Sequence, residues 1–307
     1  MSVNLSMKYA DGYVDVQYGS KFVETLFEKN WLIPGVTYTN EYQLSNGGMY
    51  VFHKQDDSDT NGPEDVGADY DKKNYKNTNI TLSMLNQFSE TLKIPNATIA
   101  ATSASVLENT YRNQAAKIAT RQMRSAIACL LTEGKGVASA GGSAIDEKNI
   151  VTRIESAAAD GALELGAVDT VLLRPHLFNM LRGVLPKTQI TPAFNEELIR
   201  AGINVQSFNW NGINFFSVAG LANKGGLSYS YNTMDGNTET TKTVASSAIS
   251  NTNFIAYNHR AFAKVDLLST VKAFDSHDAP IMQITSCVTN GFGAIYGEHI
   301  IIDKATA

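Results

Sequence analysis

Acidic side chains between residues 56 and 71 are the first candidates for chemistry in this sequence. Asp57, Asp59, Asn61 and Gly62 match the first half of the calcium-loop pattern D-x-D-x-N-G. The match then fails, because the position of the closing bidentate glutamate holds Ala68 and strand patterns flank the loop. The sequence therefore favours an acidic loop that meets solvent or a partner over a calcium site.

A second group of ligand-type side chains consists of Asp275, His277 and Asp278. Pro280 follows almost at once, and no second pair of ligands stands at a spacing typical of a metal site. We therefore interpret this group as a loop before a strand and predict no metal or other cofactor.

Motifs of nucleophilic and phosphate chemistry are missing from the sequence. It has no G-x-S-x-G elbow, no phosphate loop ending in Lys-Ser or Lys-Thr, and no G-x-G-x-x-G after a strand pattern. The five histidines stand singly, and His176 and His259 fit capping or core roles better than catalysis. We predict that the chain is not an enzyme.

Composition narrows the class of protein further. The 307 residues carry 25 Lys and Arg against 30 Asp and Glu, a net charge of −5, so no overall basic field attracts nucleic acid. The two cysteines, Cys129 and Cys287, belong to no C-x-x-C pair and fit thiols in a reducing compartment. No apolar run or signal pattern suggests a membrane or export, so we expect residence in a cytoplasm.

The elements that must position any site begin with one long helix over residues 105–131. Ser105 and Glu108 form an S-x-x-E capping box, and Gly134 supplies a stop. Apolar residues recur at helical spacing along one broad stripe, with most of the basic residues off it. At about 1.5 Å per residue the helix is a rod of roughly 40 Å, which suits a spine on which other elements are mounted.

Two elements before this helix are predicted to need another surface to pack against. Residues 1–35 read as an extended arm with a short amphipathic helix that starts after Ser20 and stops at Pro34. Residues 36–85 read as a long β-hairpin, with strand runs before and after the acidic segment. Because a two-stranded hairpin is marginal alone, we expect it to lie on another surface. Packing of the arm helix on its own domain remains the alternative.

Beyond the long helix the sequence alternates between helix and strand patterns. Asp146 caps a helix, a buried strand ends at Arg174-Pro175, and a further helix follows. Asn211-Gly212 turns a hairpin, and two late apolar β-branched runs complete a sheet. We interpret the polar segment between residues 228 and 253 as a surface loop.

In this order, the elements resemble a tailed-bacteriophage major capsid protein of the Hong Kong 97-like fold. Three segments carry the similarity: FSETLKI ahead of the helix, DTVLLRPHLFNMLRG as a strand, proline and helix, and NFIAYNHRAFAKVDLL as a late β-run. The resemblance covers nearly the whole chain. The resemblance implies an α+β fold, which encapsulin shells also have.

The resemblance also implies a domain plan. It makes residues 1–35 an N-terminal arm and residues 36–85 the extended hairpin loop. Residues 86–145, completed by the late strands, become the peripheral domain with its spine helix, and residues 146–307 mainly the α/β axial domain. Because the sequence starts at Met1 without a scaffolding segment, we expect a separate scaffolding protein or none. Some members of this family cross-link a hairpin lysine to an asparagine through a nearby glutamate. Lys54, Lys72 and Lys73 are available here, but the partner residues cannot be matched, so we do not predict this reaction.

The function that follows from the resemblance is structural. Copies of the chain would form pentamers and hexamers and then an icosahedral shell around DNA, which they touch only non-specifically. Portal and scaffolding proteins are expected partners, and no membrane is. The location would be the virion capsid, after assembly in the host cytoplasm. Expected inter-subunit contacts are Phe22, Phe27 and Trp31 of the arm and Asp56, Asp57, Asp59, Glu64 and Asp65 of the hairpin tip.

Two other classes of protein stay open at this point. An encapsulin-type compartment has the same shell around an enzyme cargo. A two-domain soluble enzyme or sugar-binding protein would instead be a monomer with a ligand-filled cleft.

Overall fold

Fifteen strands and five α-helices make up the described part of the chain, an α+β arrangement. The computed structural model describes residues 33, 35–38, 49–55, 77–83, 85–88, 92–95, 105–137, 144–161, 166–191, 207–235, 238–275 and 281–305. The helices are α1 (Ser105–Glu133), α2 (Ile150–Asp160), α3 (Pro175–Val184), α4 (Ala219–Ala222) and α5 (Ser246–Ser250). The strands are β1 (Val36–Tyr38), β2 (Met49–Gln55), β3 (Asn77–Ser83), β4 (Leu85–Phe88), β5 (Leu92–Pro95), β6 (Gly136–Val137), β7 (Thr170–Leu173), β8 (Ser207–Trp210), β9 (Ile213–Ser217), β10 (Tyr229–Asp235), β11 (Thr238–Val244), β12 (Thr252–Tyr257), β13 (Phe262–Asp275), β14 (Ile281–Ala294) and β15 (Ile300–Lys304).

Helix α1 begins at Ser105, as predicted, and runs for 29 residues. Between Ile118 and Leu130 its apolar stripe is largely buried, with Ile127 and Leu130 fully covered, whereas Lys117 and Arg121 are exposed. At the end of the helix the Gly134 N–H donates to the Leu130 carbonyl over 2.9 Å. A Cβ on Gly134 would lie 2.6 Å from that carbonyl oxygen and 2.8 Å from Ile302 Cδ1, so the stop requires glycine.

One sheet is built on the two longest strands, β13 and β14, which pair antiparallel over 14 residues each. Strand β1 joins β13 in parallel, and β4 and β5 both pair with β14. At about 3.3 Å per residue the long pair measures roughly 46 Å, close to the roughly 44 Å of α1. Helix α1 lies along β14, where the Gln114 amide donates to the Ile284 carbonyl over 3.3 Å.

The other large sheet has six strands in the order β6, β15, β12, β7, β9, β8. Successive residues of its central strands face opposite sides, as the period of two for a strand requires. One side packs against α1 and the other against α2 and α3, which gives three layers around two cores. The residues toward α1 include Leu172, Phe216, Ile255, Tyr257 and Ile300, and those toward α2 and α3 include Val171, Leu173, Phe215, Phe254 and Ile301.

Several local predictions for this second region are confirmed. Strand β7 is buried at every position, and Pro175 is the first residue of α3. Asn211 and Gly212 both have positive φ, 51° and 80°, as the turn between β8 and β9 requires.

The predicted helix cap at Asp146 is wrong, since α2 begins at Ile150 with Asn149 as its N-cap. The Asp146 carboxylate instead accepts from the backbone N–H groups of Lys148 and Asn149 in the turn before the helix, at 3.0 and 2.9 Å.

The prediction of a surface loop between residues 228 and 253 is wrong. This segment forms the antiparallel hairpin β10–β11, followed by α5 and the start of β12. Alternate residues Tyr229 and Tyr231 are buried in the core beside α1, while Ser230 and Thr243 face outward and share a hydrogen bond of 2.9 Å. Burial of the two tyrosine rings stabilises a hairpin whose remaining side chains are mostly polar.

Two strand assignments also differ from prediction. Val36–Tyr38 does not extend the predicted hairpin but pairs with β13, because Ile33 is buried in the core of α1 and Gly35 sits against Phe262. Each late apolar run supplies strands to both sheets instead of completing one. In the first run the chain changes sheet at a 3₁₀ turn, His259–Ala261, where the Asn258 side chain accepts from the Arg260 N–H over 3.0 Å.

Candidate functional site

The residues predicted to contact neighbouring subunits all lie outside the described residues. They are Phe22, Phe27, Trp31, Asp56, Asp57, Asp59, Glu64 and Asp65. The calcium-type residues Asn61 and Gly62 also lie outside, as do His277 and Asp278, while Asp275 is the last residue of β13. The inter-subunit contacts therefore stay predictions.

The hairpin that carries the acidic segment is confirmed in its paired part. Strands β2 and β3 pair antiparallel from Met49 with Ser83 to Gln55 with Asn77. Among the described strands these two form a separate sheet, and β3 lies close to β10 and β14. The acidic residues occupy the connection between Gln55 and Asn77, so they belong to the end of the hairpin at which those two residues pair.

A cluster of polar side chains ties the second hairpin to the end of α1. The Glu133 carboxylate accepts from the Lys242 ammonium over 2.7 Å and from the Tyr231 hydroxyl. Partial burial raises the pKa of Glu133, but the hydrogen bonds from Lys242 and Tyr231 outweigh it and hold this pKa below its ordinary value. Burial, with Glu133 nearby, raises the pKa of the Tyr231 hydroxyl, so it stays a proton donor. The cluster fixes the hairpin on the helix.

An ion pair inside the fold joins α2 to the last strand. Arg153 Nε donates to Asp303 Oδ2 over 2.9 Å, and its Nη2 donates to Oδ1 over 2.6 Å. The Asn253 amide donates to the same carboxylate over 3.3 Å. Burial raises the pKa of Asp303, although Arg153 and Asn253 oppose the shift. This two-point contact holds α2, β12 and β15 together.

His176 and His259, for which capping or core roles were expected, are both surface residues. His176 lies exposed in the first turn of α3. The imidazole of His259, also exposed, contacts the Asp169 carboxylate, which accepts from the His259 N–H over 2.9 Å as well. Asp169 and His259 thus connect the start of β7 to the turn after β12. Within the described ranges, no three His, Cys, Asp or Glu side chains come together to hold a metal ion.

Sequence reasoning missed the role of residues 229–244 and therefore the cluster of Glu133, Tyr231 and Lys242. The signal was the alternation Tyr229-Ser230-Tyr231, a strand pattern with one apolar face. It is short and surrounded by threonine, serine and asparagine, which made the segment look like a loop.

Comparison with solved structures identifies the class of fold. The chain is similar to a capsid structure of the cyanophage P-SCSP1u, at a TM-score of 0.61 and 14% identity over 89% of this chain and 86% of that one. It is also similar to a virus-like particle from Pyrococcus furiosus, at a TM-score of 0.59 and 9% identity over 95% of this chain and 100% of that one. The mature capsid of bacteriophage PhiM1 is similar at a TM-score of 0.54 and 11% identity, over 90% of this chain and 86% of that one.

The chain therefore has the fold of bacteriophage capsid proteins, and the predicted resemblance is confirmed at that level. No protein-family model and no curated protein matches the sequence. In the part of the chain that the structure describes, no helix is both long enough and apolar enough to cross a membrane.

Proposed function

We propose that this chain is the major coat subunit of a tailed bacteriophage, a structural protein and not an enzyme. One observation carries the proposal: two solved phage capsid structures match the fold over 89% and 90% of the chain.

We propose that the described elements take the roles of a Hong Kong 97-like subunit. Helix α1 with the β13–β14 sheet corresponds to a peripheral domain, and the six-stranded sheet with α2 and α3 to an axial domain. The separate hairpin β2–β3 corresponds to an extended loop. Because such a hairpin buries little of itself, contact with a neighbouring subunit would stabilise it. Contacts of this head-to-tail kind, repeated around a ring, close into pentamers and hexamers.

The expected surroundings of the protein follow from this role. Its main partners are copies of itself, joined by a portal protein and a separate scaffolding protein. The assembled shell encloses DNA, and the final location is the virion capsid after assembly in the host cytoplasm. The acidic residues Asp56, Asp57, Asp59, Glu64 and Asp65 would then meet a basic patch on the adjacent subunit.

A shell around a protein cargo is the second candidate. It is considered because the chain is also similar to a virus-like particle, in a match that covers 95% of this chain and all of the other. The two shells differ in contents: nucleic acid supports the phage coat, and a co-purifying enzyme supports an encapsulin-type compartment. Adjacent terminase and portal genes or an adjacent cargo gene would give the same distinction.

The test is the size of the purified protein, measured by light scattering and by electron microscopy of the same sample. We expect closed shells tens of nanometres across, or discrete pentamers and hexamers if a scaffold is required. The variant with Phe22→Ala, Phe27→Ala and Trp31→Ala should keep its folded circular dichroism spectrum but lose the large species. A monomer at every concentration and salt, with a bound small ligand, would contradict the coat function and favour the soluble enzyme or sugar-binding protein.

A further inference from the structure

Helix α1 has a distribution of charge unlike that of the whole chain. Between Glu108 and Glu133 it contains four basic residues, Arg112, Lys117, Arg121 and Arg124, and no acidic residue. The chain as a whole carries a net charge of −5. The middle of the spine helix is therefore a local region of positive charge on an acidic protein.

Three of these cations lie on one face of the helix. Lys117, Arg121 and Arg124 stand four and three residues apart, so they form a row about 10 Å long. Lys117 and Arg121 are exposed. Arg124 is half-buried, with its guanidinium 5.6 Å from the centre of the Tyr229 ring, which holds the inner end of the row in place. We call these three residues the basic row.

The described positions of α1 beside the basic row are polar. Thr110, Asn113 and Thr120 lie on the same face, and each is exposed or half-buried. The exposed large hydrophobic residues of the described chain are Val184 and Leu227, and neither belongs to α1. Protein interfaces are built around an apolar centre, whereas contacts to a phosphate backbone need only basic and hydrogen-bonding side chains.

We infer that the basic row is a contact site for the phosphate backbone of nucleic acid, and that α1 presents this face to the DNA inside the shell. The inference rests on the proposed coat function and adds a location to it. Arginine and lysine on a polar helix face suit a linear polyanion and read no sequence, so binding is non-specific. Because only a few phosphates are contacted, binding is weak and salt-sensitive, which is compatible with packaging and release.

The test measures binding of a short double-stranded DNA to unassembled subunits over about 50 to 200 mM salt. The wild type should bind at low salt. The double variant Lys117→Gln, Arg121→Gln removes two phosphate contacts, so the slope of log affinity against log salt should become shallower by about 2. Unfolding curves check that the variant is folded, so that a change of slope reports lost phosphate contacts. The variant Arg121→Lys keeps the charge and should keep the slope.

A charge-matched control is Lys148→Gln with Lys187→Gln, which removes two exposed lysines from the α2 and α3 side of the six-stranded sheet. This variant should bind DNA like the wild type. Three results would overturn the inference. They are an equal loss of DNA affinity in both double variants, an unchanged salt slope in Lys117→Gln, Arg121→Gln, and no DNA binding by the wild type at low salt. A synthetic peptide of residues 56–71 tests the competing ligand. If this peptide binds the wild type but not the Lys117→Gln, Arg121→Gln variant, and DNA does not bind, the basic row contacts the acidic segment of a second copy and the inference is wrong. Shells that form normally while the slope stays unchanged would overturn this inference and leave the coat function standing.

Discussion

Arg153 and Asp303 form an ion pair in the interior, with exposed fractions of only 2% and 1%. The guanidinium reaches both carboxylate oxygens, and Asn253 occupies a further acceptor position. Such a pair does little for net stability compared with an apolar pair, but removing one partner leaves a buried charge without compensation. The pair therefore makes the position of α2 on β15 specific.

We predict that Arg153→Met lowers the free energy of unfolding by about 3 to 5 kcal/mol, because Asp303 loses its counter-charge while staying buried. Denaturant unfolding followed by circular dichroism measures this. The double variant Arg153→Met, Asp303→Leu should be less destabilised than Arg153→Met alone. Lys148→Met, at an exposed position near the start of α2, is the control and should change little. Similar stability for the single variant and the wild type would show that the pair does not hold α2.

Glu133 gives the fold a dependence on pH. Its pKa in the folded protein is held below the ordinary value of 4.5, so the unfolded chain binds a proton more readily than the folded one. The hydrogen bonds from Lys242 and Tyr231 therefore contribute stability that is present above about pH 4.5 and is lost as the pH falls below it.

The variant Glu133→Gln keeps the shape of the side chain and removes its titration. We predict that the difference in unfolding free energy between wild type and variant is constant above pH 5 or so and shrinks below about pH 4.5. Unfolding curves at several pH values measure this difference. A difference that grows on acidification would mean that the sign of the pKa shift is wrong.

At the scale of the elements, the end of α1 and the turn before β15 meet through backbone. The Lys135 N–H donates to the Gly297 carbonyl over 2.9 Å. A Cβ on Gly297 would lie 2.4 Å from the Glu133 carbonyl oxygen, a distance that real contacts do not reach. Because the obstacle is backbone, a side chain here must push the helix end away from the sheet.

We predict that Gly297→Ala lowers the free energy of unfolding by about 1 to 3 kcal/mol through this steric conflict. Gly183 provides the matched control, since it lies exposed in α3 and a Cβ there meets nothing within 4 Å. Gly183→Ala should stabilise the protein by about 0.5 to 1 kcal/mol because alanine favours the helix. Thermal or denaturant unfolding of the two variants should therefore shift in opposite directions, and a shared direction would refute the steric explanation.

Elements with strong local signals could be predicted from the sequence. Helix α1 has a long apolar stripe and a glycine stop, and α3 has a proline at its first residue after a buried strand. Asn211-Gly212 favours the turn that the structure contains. In these places short-range chemistry alone decides the conformation, so a single sequence is enough.

Elements that depend on distant partners could not be predicted in the same way. Hairpin β10–β11 is stabilised by Tyr229 and Tyr231 against α1, a contact between residues about 100 positions apart. Strand β1 joins β13 more than 200 residues later, and periodicity does not reveal which sheet receives a short strand. The proposed inter-subunit site depends on a second copy of the chain, which lies beyond any pattern within one sequence.

At the scale of the whole molecule, the acidic segment of the hairpin is predicted to act between subunits. Replacing Asp56, Asp57, Asp59, Glu64 and Asp65 by their amides should leave the unfolding transition unchanged, weaken assembly, and flatten its dependence on salt, because screening acts only on the lost charges. Light scattering over a salt series measures this. The control is Glu147→Gln with Glu155→Gln, two exposed acids near and on α2. Unchanged assembly and salt dependence in the five-residue variant would rule the segment out as a contact.

The most direct test of the coat function is an electron cryomicroscopy reconstruction of particles formed by this chain. We expect a closed icosahedral shell in which each subunit shows α1 beside the β13–β14 sheet and hairpin β2–β3 lies on an adjacent subunit. A shell in which hairpin β2–β3 touches no adjacent subunit would contradict the proposed contact. Particles without closed symmetry, or a protein that never leaves the monomeric state even with its scaffold, would contradict the coat function itself.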